Sequence, residues 1–244
     1  MQPKDRIFVA LDVPNLPRAL GIVAAVQDQI GGVKVGLELL TSVGAPTVVE
    51  AMSASGLPIF FDAKFCDMPN TVAGAVEAAT RLGVAMMTVH ALGGIPMLEA
   101  AVAAADRAAL LGPRPKILAV TILTSLTWEA LGQLRVAPLA SEEALQEYVV
   151  HLACMAQQAG CHGVVASPHE VAAIRAACGP DLTIVTPGVR PAWSVRGDQQ
   201  RFSSPRDACE AGADYLVIGR PITQPPPEIG TPAAAVARIV GELA

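Results

Sequence analysis

A chain of 244 residues with 52% hydrophobic and 16% charged side chains must bury much of itself, and it is long enough for one large domain. A net charge of −5, with no stripe of basic residues interleaved with aromatics, excludes a nucleic-acid partner. No run approaches the roughly 20 apolar residues that span a bilayer, so the mean hydropathy of +0.45 reads as core and subunit interface rather than membrane.

The predicted elements alternate along the chain. Ile7–Leu11 reads as a strand and Leu16–Gln29 as a helix; Val33–Gly36 leads into a helix over Leu37–Ser53; Pro58–Phe61 leads into Thr71–Leu82. Ala85–Val89 precedes Ile95–Ala109, and Ile117–Thr121 precedes Ser141–Ala159, where Ser141-Glu142-Glu143 supplies a capping hydroxyl and first-turn acids. Gly163–Ala166 precedes His169–Ala177, Thr183–Val185 precedes Pro205–Ala211, and Tyr215–Ile218 precedes Pro232–Leu243. Most strands are too short and too apolar to alternate, as parallel strands covered on both faces are. Strand–helix units in this number predict an α/β protein, a single-domain (β/α)8 barrel over residues 1–244. A doubly wound open sheet is the alternative, but it would carry a glycine-rich turn after the first strand, where this chain reads ALDVPNL. Glycine turns recur before strands in IGGVKVG, RLGVAMM, AGCHGVV and AGADYLV, which suits a quasi-symmetric barrel.

The Met1–Arg6 start carries no apolar stretch of a secretory signal. Cys66, Cys154, Cys161, Cys178 and Cys209 are odd in number and lack CxxC spacing, so they read as reduced thiols of a cytoplasmic protein.

Function in a barrel collects at the C-terminal ends of strands. The polar residues there are Asp12, Lys34, Asp62, Lys64, His90, Thr121, Thr124, Arg190 and Arg220. Side chains alternate along a strand, so Asp62 and Lys64 share a face. With Lys34 and Asp12 from the neighbouring strands they predict an alternating acid–base array in a low-dielectric mouth. A lone Asp-x-Lys is as readily a structural ion pair, but these four residues at three strand ends point to chemistry. Asp67 lies past the strand end and either folds back or reaches a neighbouring subunit. Pro69 sets the start of the next helix, which Asn70 or Thr71 would cap. Arg190 and Arg220 stand near Gly188 and Gly219, and their planar guanidiniums suit a phosphate dianion. The long polar segment 191–204 reads as a lid. His90 reads as a hydrogen-bonded structural histidine, His162 and His169 lack metal-ligand spacing, and no Walker loop or nucleophile elbow occurs.

The stretch FDAKFCDMPNT resembles the Asp-x-Lys-x-x-Asp-x-Pro-Asn-Thr signature of the orotidine 5′-monophosphate decarboxylase family, within the ribulose-phosphate-binding barrel superfamily. VALDVPN, VKVGLEL, TVHALGG, VTILTSLT, VTPGVRP, GDQQR and VIGRPIT agree with it in order along nearly the whole chain. The resemblance implies decarboxylation of orotidine 5′-monophosphate to UMP, the last step of de novo pyrimidine biosynthesis, with no cofactor and no metal. It implies that Lys64 protonates C6, that Asp62 sits by the substrate carboxylate, and that Asp12 and Lys34 contact the ribose hydroxyls or support the charged array. It places Thr124 at the pyrimidine, Gln199 between lid, pyrimidine and phosphate, and Arg190, Gly219 and Arg220 on the phosphate. Asp67 and Thr71 would be lent across the interface of a homodimer with shared active sites. Sister barrels, the Mg²⁺-dependent sugar-phosphate decarboxylases and aldolases, share Asp-x-Lys-x-x-Asp. They carry a glutamate metal ligand where this chain has Lys34, and a lysine there repels a dication. A non-catalytic phosphate-binding barrel is the third expectation; it would have no need of Lys64.

Overall fold

The protein is described by a computed structural model over residues 1–109, 112–135, 140–194 and 203–244. Among them lie eight parallel strands: β1 (Ile7–Ala10), β2 (Gly32–Gly36), β3 (Ile59–Phe65), β4 (Met86–His90), β5 (Lys116–Val120), β6 (Gly163–Val165), β7 (Thr183–Thr186) and β8 (Tyr215–Ile218). Each pairs with the next in chain order, and β8 closes onto β1 through Ile7 opposite Leu216 and Val9 opposite Ile218. The result is the expected closed (β/α)8 barrel.

Helices α1 (Leu16–Val26), α2 (Leu37–Val43), α3 (Ala45–Ser53), α4 (Pro69–Arg81), α5 (Gly94–Ala108) and α6 (Trp128–Leu134) accompany the first five strands. Helices α7 (Glu142–Gln158), α8 (Val171–Cys178), α9 (Pro205–Glu210), α10 (Arg220–Thr223) and α11 (Pro232–Leu243) complete the chain. The start signal read at Ser141 works as expected, and Asn15 supplies one that was not singled out from the sequence. The Asn15 side chain accepts from Arg18 N–H at 3.0 Å to open α1, and Ser141 Oγ accepts from Ala144 N–H at 3.2 Å to open α7. Each such cap contributes about 1 kcal/mol.

Two apolar compartments hold the barrel. Inside, Phe8, Phe60, Met86, Leu118 and Val185 fill the lower half, with the Phe8 ring edge-on to Phe60 and Tyr215 at 6.3 and 5.4 Å. Between strands and helices lies the larger compartment, which includes Val9, Val35, Leu39, Met52, Val76, Leu98 and Ile184. Strands flanked on both sides cannot alternate, which is why these segments read as short apolar runs. Each fully buried aliphatic side chain of this kind contributes about 1.5–3 kcal/mol.

Several elements differ from expectation, the short helix α10 (Arg220–Thr223) among them. The helix expected over Leu37–Ser53 breaks at Gly44, whose φ of +95° ends α2 and starts α3. Helix α6 was not expected; Thr127 Oγ1 starts it by accepting from Ala130 N–H at 3.4 Å. Strand β3 continues to Phe65, well past the apolar run that marks it in the sequence, so Asp62 and Lys64 are strand residues. No helix among the described residues is long and apolar enough to cross a membrane.

Candidate active site

The site begins with a buried ammonium. Lys34 on β2 has a side chain only 7% exposed, and its Nζ lies 2.6 Å from Asp12 Oδ1 and 3.7 Å from Asp62 Oδ2. Asp62 Oδ2 also accepts from Lys64 Nζ at 2.8 Å. Asp12, Lys34, Asp62 and Lys64 therefore form one line of alternating charge across the mouths of β1, β2 and β3. Removing one member of such a partly buried set strands the others, at a cost of about 3–5 kcal/mol for a fully buried pair. Gly36 makes the packing possible: a Cβ there would stand 2.8 Å from both Asp12 Oδ1 and Lys34 Nζ.

Lys64 reaches Asp62 by a route that plain alternation does not foresee. The β3–β4 register runs from Phe61 opposite Met87 to Phe65 opposite Val89, so extra residues bulge out of the ladder on the β3 side. Lys64 itself takes φ +52°, in the left-handed region. That conformation costs a non-glycine residue roughly 1–2 kcal/mol and persists only where the surroundings enforce it. Its N–H donates to Thr88 Oγ1 at 2.8 Å, and the Thr88 hydroxyl donates to Asp62 Oδ1 at 3.0 Å. Thr88 is wholly buried. Neither Thr88 nor Gly36 was singled out from the sequence. The available signal for Thr88 was its spacing, between Met86 and His90 on the inward-facing side of β4.

His90 is the structural histidine expected: its Nδ1 accepts from Leu92 N–H at 3.4 Å. Burial first, and the Lys64 charge second, hold its pKa below the ordinary imidazole value, so it is neutral near pH 7. Thr121 also plays a structural part, donating to the Val165 carbonyl at 3.1 Å and tying β5 to β6.

The opposite side of the mouth is a cavity of about 380 Å³. Gly188, Arg190, Gly219 and Arg220 line it on one side and Asp12, Lys34 and Asp62 on the other. Gly188 has φ +79°, which only glycine adopts freely. Arg190 is 8% exposed. Burial, and then the charge of Arg220, push its pKa downward, although a guanidinium remains cationic. A smaller cavity of about 160 Å³ adjoins, with Lys64, Thr124, Ile122 and Val165 in its walls. Asp62, Pro187 and Val217 line both spaces. One slot therefore runs from the guanidiniums past the carboxylate to the Lys64 ammonium.

Other expected residues are not gathered here. Asp67 is exposed, and its Oδ1 accepts from the neighbouring Met68 N–H at 2.6 Å rather than from Lys64. Thr71 is exposed on the first turn of α4. The capping expected of Asn70 or Thr71 is not made: α4 starts at Pro69 with Met68 as its N-cap and no side-chain cap, so both residues lie inside the helix. The segment 191–204 is tied at its base. Arg190 N–H donates to the Ser203 carbonyl at 2.9 Å, Trp193 Nε1 donates to Glu242 Oε1 at 3.0 Å, and Arg238 sits 5.7 Å over the Trp193 ring. Gln199 lies outside the described residues.

Alternating charge on one wall and two guanidiniums on the other place this molecule among the (β/α)8-barrel enzymes equipped for a phosphorylated, anionic substrate. The model of the orotidine 5′-phosphate decarboxylase / HUMPS family matches residues 5–238. The orotidine 5′-phosphate decarboxylase of Moorella thermoacetica is 50% identical over 245 residues, covering 100% of this chain and 94% of that protein. That of Paramagnetospirillum magneticum is 47% identical over 239 residues, covering 97% of each. Among solved structures, the orotidine 5′-phosphate decarboxylase of Lactobacillus acidophilus superposes with a TM-score of 0.81 at 35% identity, over 97% of this chain and 98% of that one. An uncharacterized conserved protein from Geobacillus kaustophilus gives 0.82 at 32%, over 98% and 100%. The chain belongs to the orotidine 5′-phosphate decarboxylase / HUMPS family.

Proposed function

We propose that the protein converts orotidine 5′-monophosphate to UMP and CO₂ in the cytoplasm, using side-chain electrostatics alone, and that residues 1–244 form a single catalytic domain. One observation carries the reading: an ammonium, Lys64, held 2.8 Å from a carboxylate that a second ammonium also faces, at one end of a slot whose other end holds two arginines. The phosphate sits between Arg190 and Arg220, where the backbone at Gly188 and Gly219 allows close approach. Asp12 and Lys34 meet the ribose hydroxyls. The pyrimidine enters the smaller cavity beside Thr124, which aims its carboxylate at Asp62.

The chemistry follows from that pose. The C6–carboxylate bond breaks, CO₂ leaves, and the electron pair stays on C6, where no ring carbonyl is placed to delocalise it well. A fixed cation in a water-poor site offsets that charge. Lys64 supplies it, then transfers an N–H proton to C6; the neutral amine is reprotonated from solvent. Asp62 holds the Lys64 ammonium in place through their 2.8 Å ion pair, and its own charge faces the substrate carboxylate. Phosphate affinity drives the remote part of the substrate into place, so binding energy is spent on orientation at C6.

Asp67 and Thr71 then act across a homodimer interface. Their exposure supports this, as do the exposed apolar side chains that follow β2, β3, β4 and β5: Leu37 at 56%, Met68 at 73%, Leu92 at 41% and Leu123 at 37%. A sugar-phosphate reaction through Mg²⁺ is disfavoured because the Lys34 ammonium already occupies the position between Asp12 and Asp62 that a dication would need.

The test is the fall in orotidylate absorbance with purified protein in excess EDTA. Turnover is expected unchanged by the chelator; loss of activity restored by Mg²⁺ would overturn the reading. For the shared site, inactive Lys64→Ala and Asp67→Ala subunits are mixed. Recovery to about one quarter of parental activity is expected from statistical reassortment; none, with subunit exchange demonstrated, would refute it.

A further inference from the structure

The bulge in β3 leaves Lys64 N–H without a ladder partner on β4. A buried N–H must find an acceptor, and this one finds a side chain, Thr88 Oγ1, at 2.8 Å. The hydroxyl carries a single proton. An amide N–H can only donate, so the hydroxyl accepts from Lys64 and must spend its own proton elsewhere. The partner within reach is Asp62 Oδ1, at 3.0 Å. The relay therefore has one direction: Lys64 N–H to Thr88, Thr88 O–H to Asp62.

The consequence is geometric. With Oδ1 engaged by Thr88, Asp62 is turned so that Oδ2 takes the Lys64 ammonium at 2.8 Å and faces the Lys34 ammonium at 3.7 Å. The same hydroxyl fixes the backbone of Lys64 in its left-handed conformation. One buried side chain thus ties the carboxylate and the lysine backbone together from below, while the ion pair ties their tips above. Valine would fill the same space and supply neither bond.

We infer that Thr88 is a positioning residue for the decarboxylation, holding Lys64 and Asp62 in register through its hydroxyl. This deepens the decarboxylase reading and rests on it for its kinetic part. Thr88→Val should lower kcat by about 10- to 100-fold, the scale of a misplacement of about 1 Å, with KM for orotidylate changed less than about threefold because the phosphate and ribose contacts are untouched. Thr88→Ser should recover most of the loss. A purely packing role predicts the reverse: Ser, which removes a methyl, would be the worse variant, and Val the better.

A second readout is independent of substrate. By NMR, the Lys64 amide should be strongly protected from hydrogen exchange in the parent and in Thr88→Ser, and should exchange at least about tenfold faster in Thr88→Val. A Lys64 amide that exchanges freely in the parent overturns the inference even if Thr88→Val cannot be purified folded, and so does a Val variant with parental kcat. If the parent fails to turn over orotidylate, the decarboxylase reading falls, while the exchange comparison still decides whether Thr88 holds Lys64.

Discussion

The two ends of the slot are built on opposite electrostatic plans. At the β1–β3 end the charges alternate, with successive oppositely charged groups 2.6, 3.7 and 2.8 Å apart, before anything binds. At the β7–β8 end, like charges crowd. The charge of Arg220 adds to burial in pushing the pKa of Arg190 down. A neutralised array needs no counter-ion; on the proposed function it is fixed in advance for charge that appears later in the reaction. A pair of guanidiniums in one cavity is relieved by a dianion, so its favourable energy is released on binding. On the proposed function, the first end serves the chemical step and the second serves capture.

That contrast breaks most visibly at Lys64. On the proposed mechanism, Lys64→Ala removes both the cation facing C6 and the proton donor. Electrostatic stabilisation and general acid catalysis are each worth about 10²-fold or more, so kcat should fall on the order of 10⁴-fold with KM nearly unchanged. Orotidylate absorbance followed at high enzyme concentration measures it. Arg220→Ala should act in the other sense. Losing a charge-assisted phosphate contact costs about 2–4 kcal/mol, so KM should rise about 30- to 1,000-fold, with a smaller change in kcat at saturation. An Arg220→Ala enzyme with parental KM would abolish the division of labour between the two ends.

The sequence made the charged ends more legible than the connections between them. Asp12, Lys34, Asp62 and Lys64 stand out because charge is scarce in this chain and they lie inside or just past apolar runs. The barrel itself is legible in repeated strand–helix units, even though Gly44 splits a helix that periodicity alone would run through to Ser53. Thr88 and Gly36 were not legible. A threonine inside an apolar strand looks like ordinary β-propensity, and a glycine before a helix looks like punctuation; each acquires meaning only once another strand is placed beside it. Asp67 shows the converse. Its place in the motif is plain, yet among the described residues its carboxylate is seen to accept from the Met68 amide beside it and not from Lys64. The role proposed for it across two chains would leave no signature in the packing of one.

A sharper test of the array concerns the backbone beneath Lys64. If φ +52° is strain imposed by the bulge, glycine should relieve it and alanine should not. Lys64→Gly and Lys64→Ala both lack the ammonium, so their difference isolates the backbone. Lys64→Gly should be the more stable by about 1 kcal/mol, read as a higher urea midpoint at equal slope. Equal midpoints would mean that the conformation costs nothing and that Thr88 restrains a chain already at ease.

The smallest expected effect concerns the two imidazoles with lowered pKa. His90 lies near the array, its pKa lowered by burial and then by Lys64; His162 packs on β5, its pKa lowered by burial and then by Arg114. Each folded-state value lies below the ordinary 6.5. Between the two values the unfolded chain therefore holds more protons than the folded one, and stability rises with pH there. The contribution is complete above about pH 6.5 and is lost as the pH falls below it, which urea midpoints from pH 7.5 to 5 would register as a gradual decline. NMR titration separates the sites. In Lys64→Ala the His90 value should move part of the way back toward 6.5, because the charge is gone but burial, the larger cause, remains. The His162 value should not move, since Lys64 does not contribute to it. A His90 titration unaffected by Lys64→Ala would mean that the ammonium's field does not reach β4, and that the array is screened even from the strand that holds it in place.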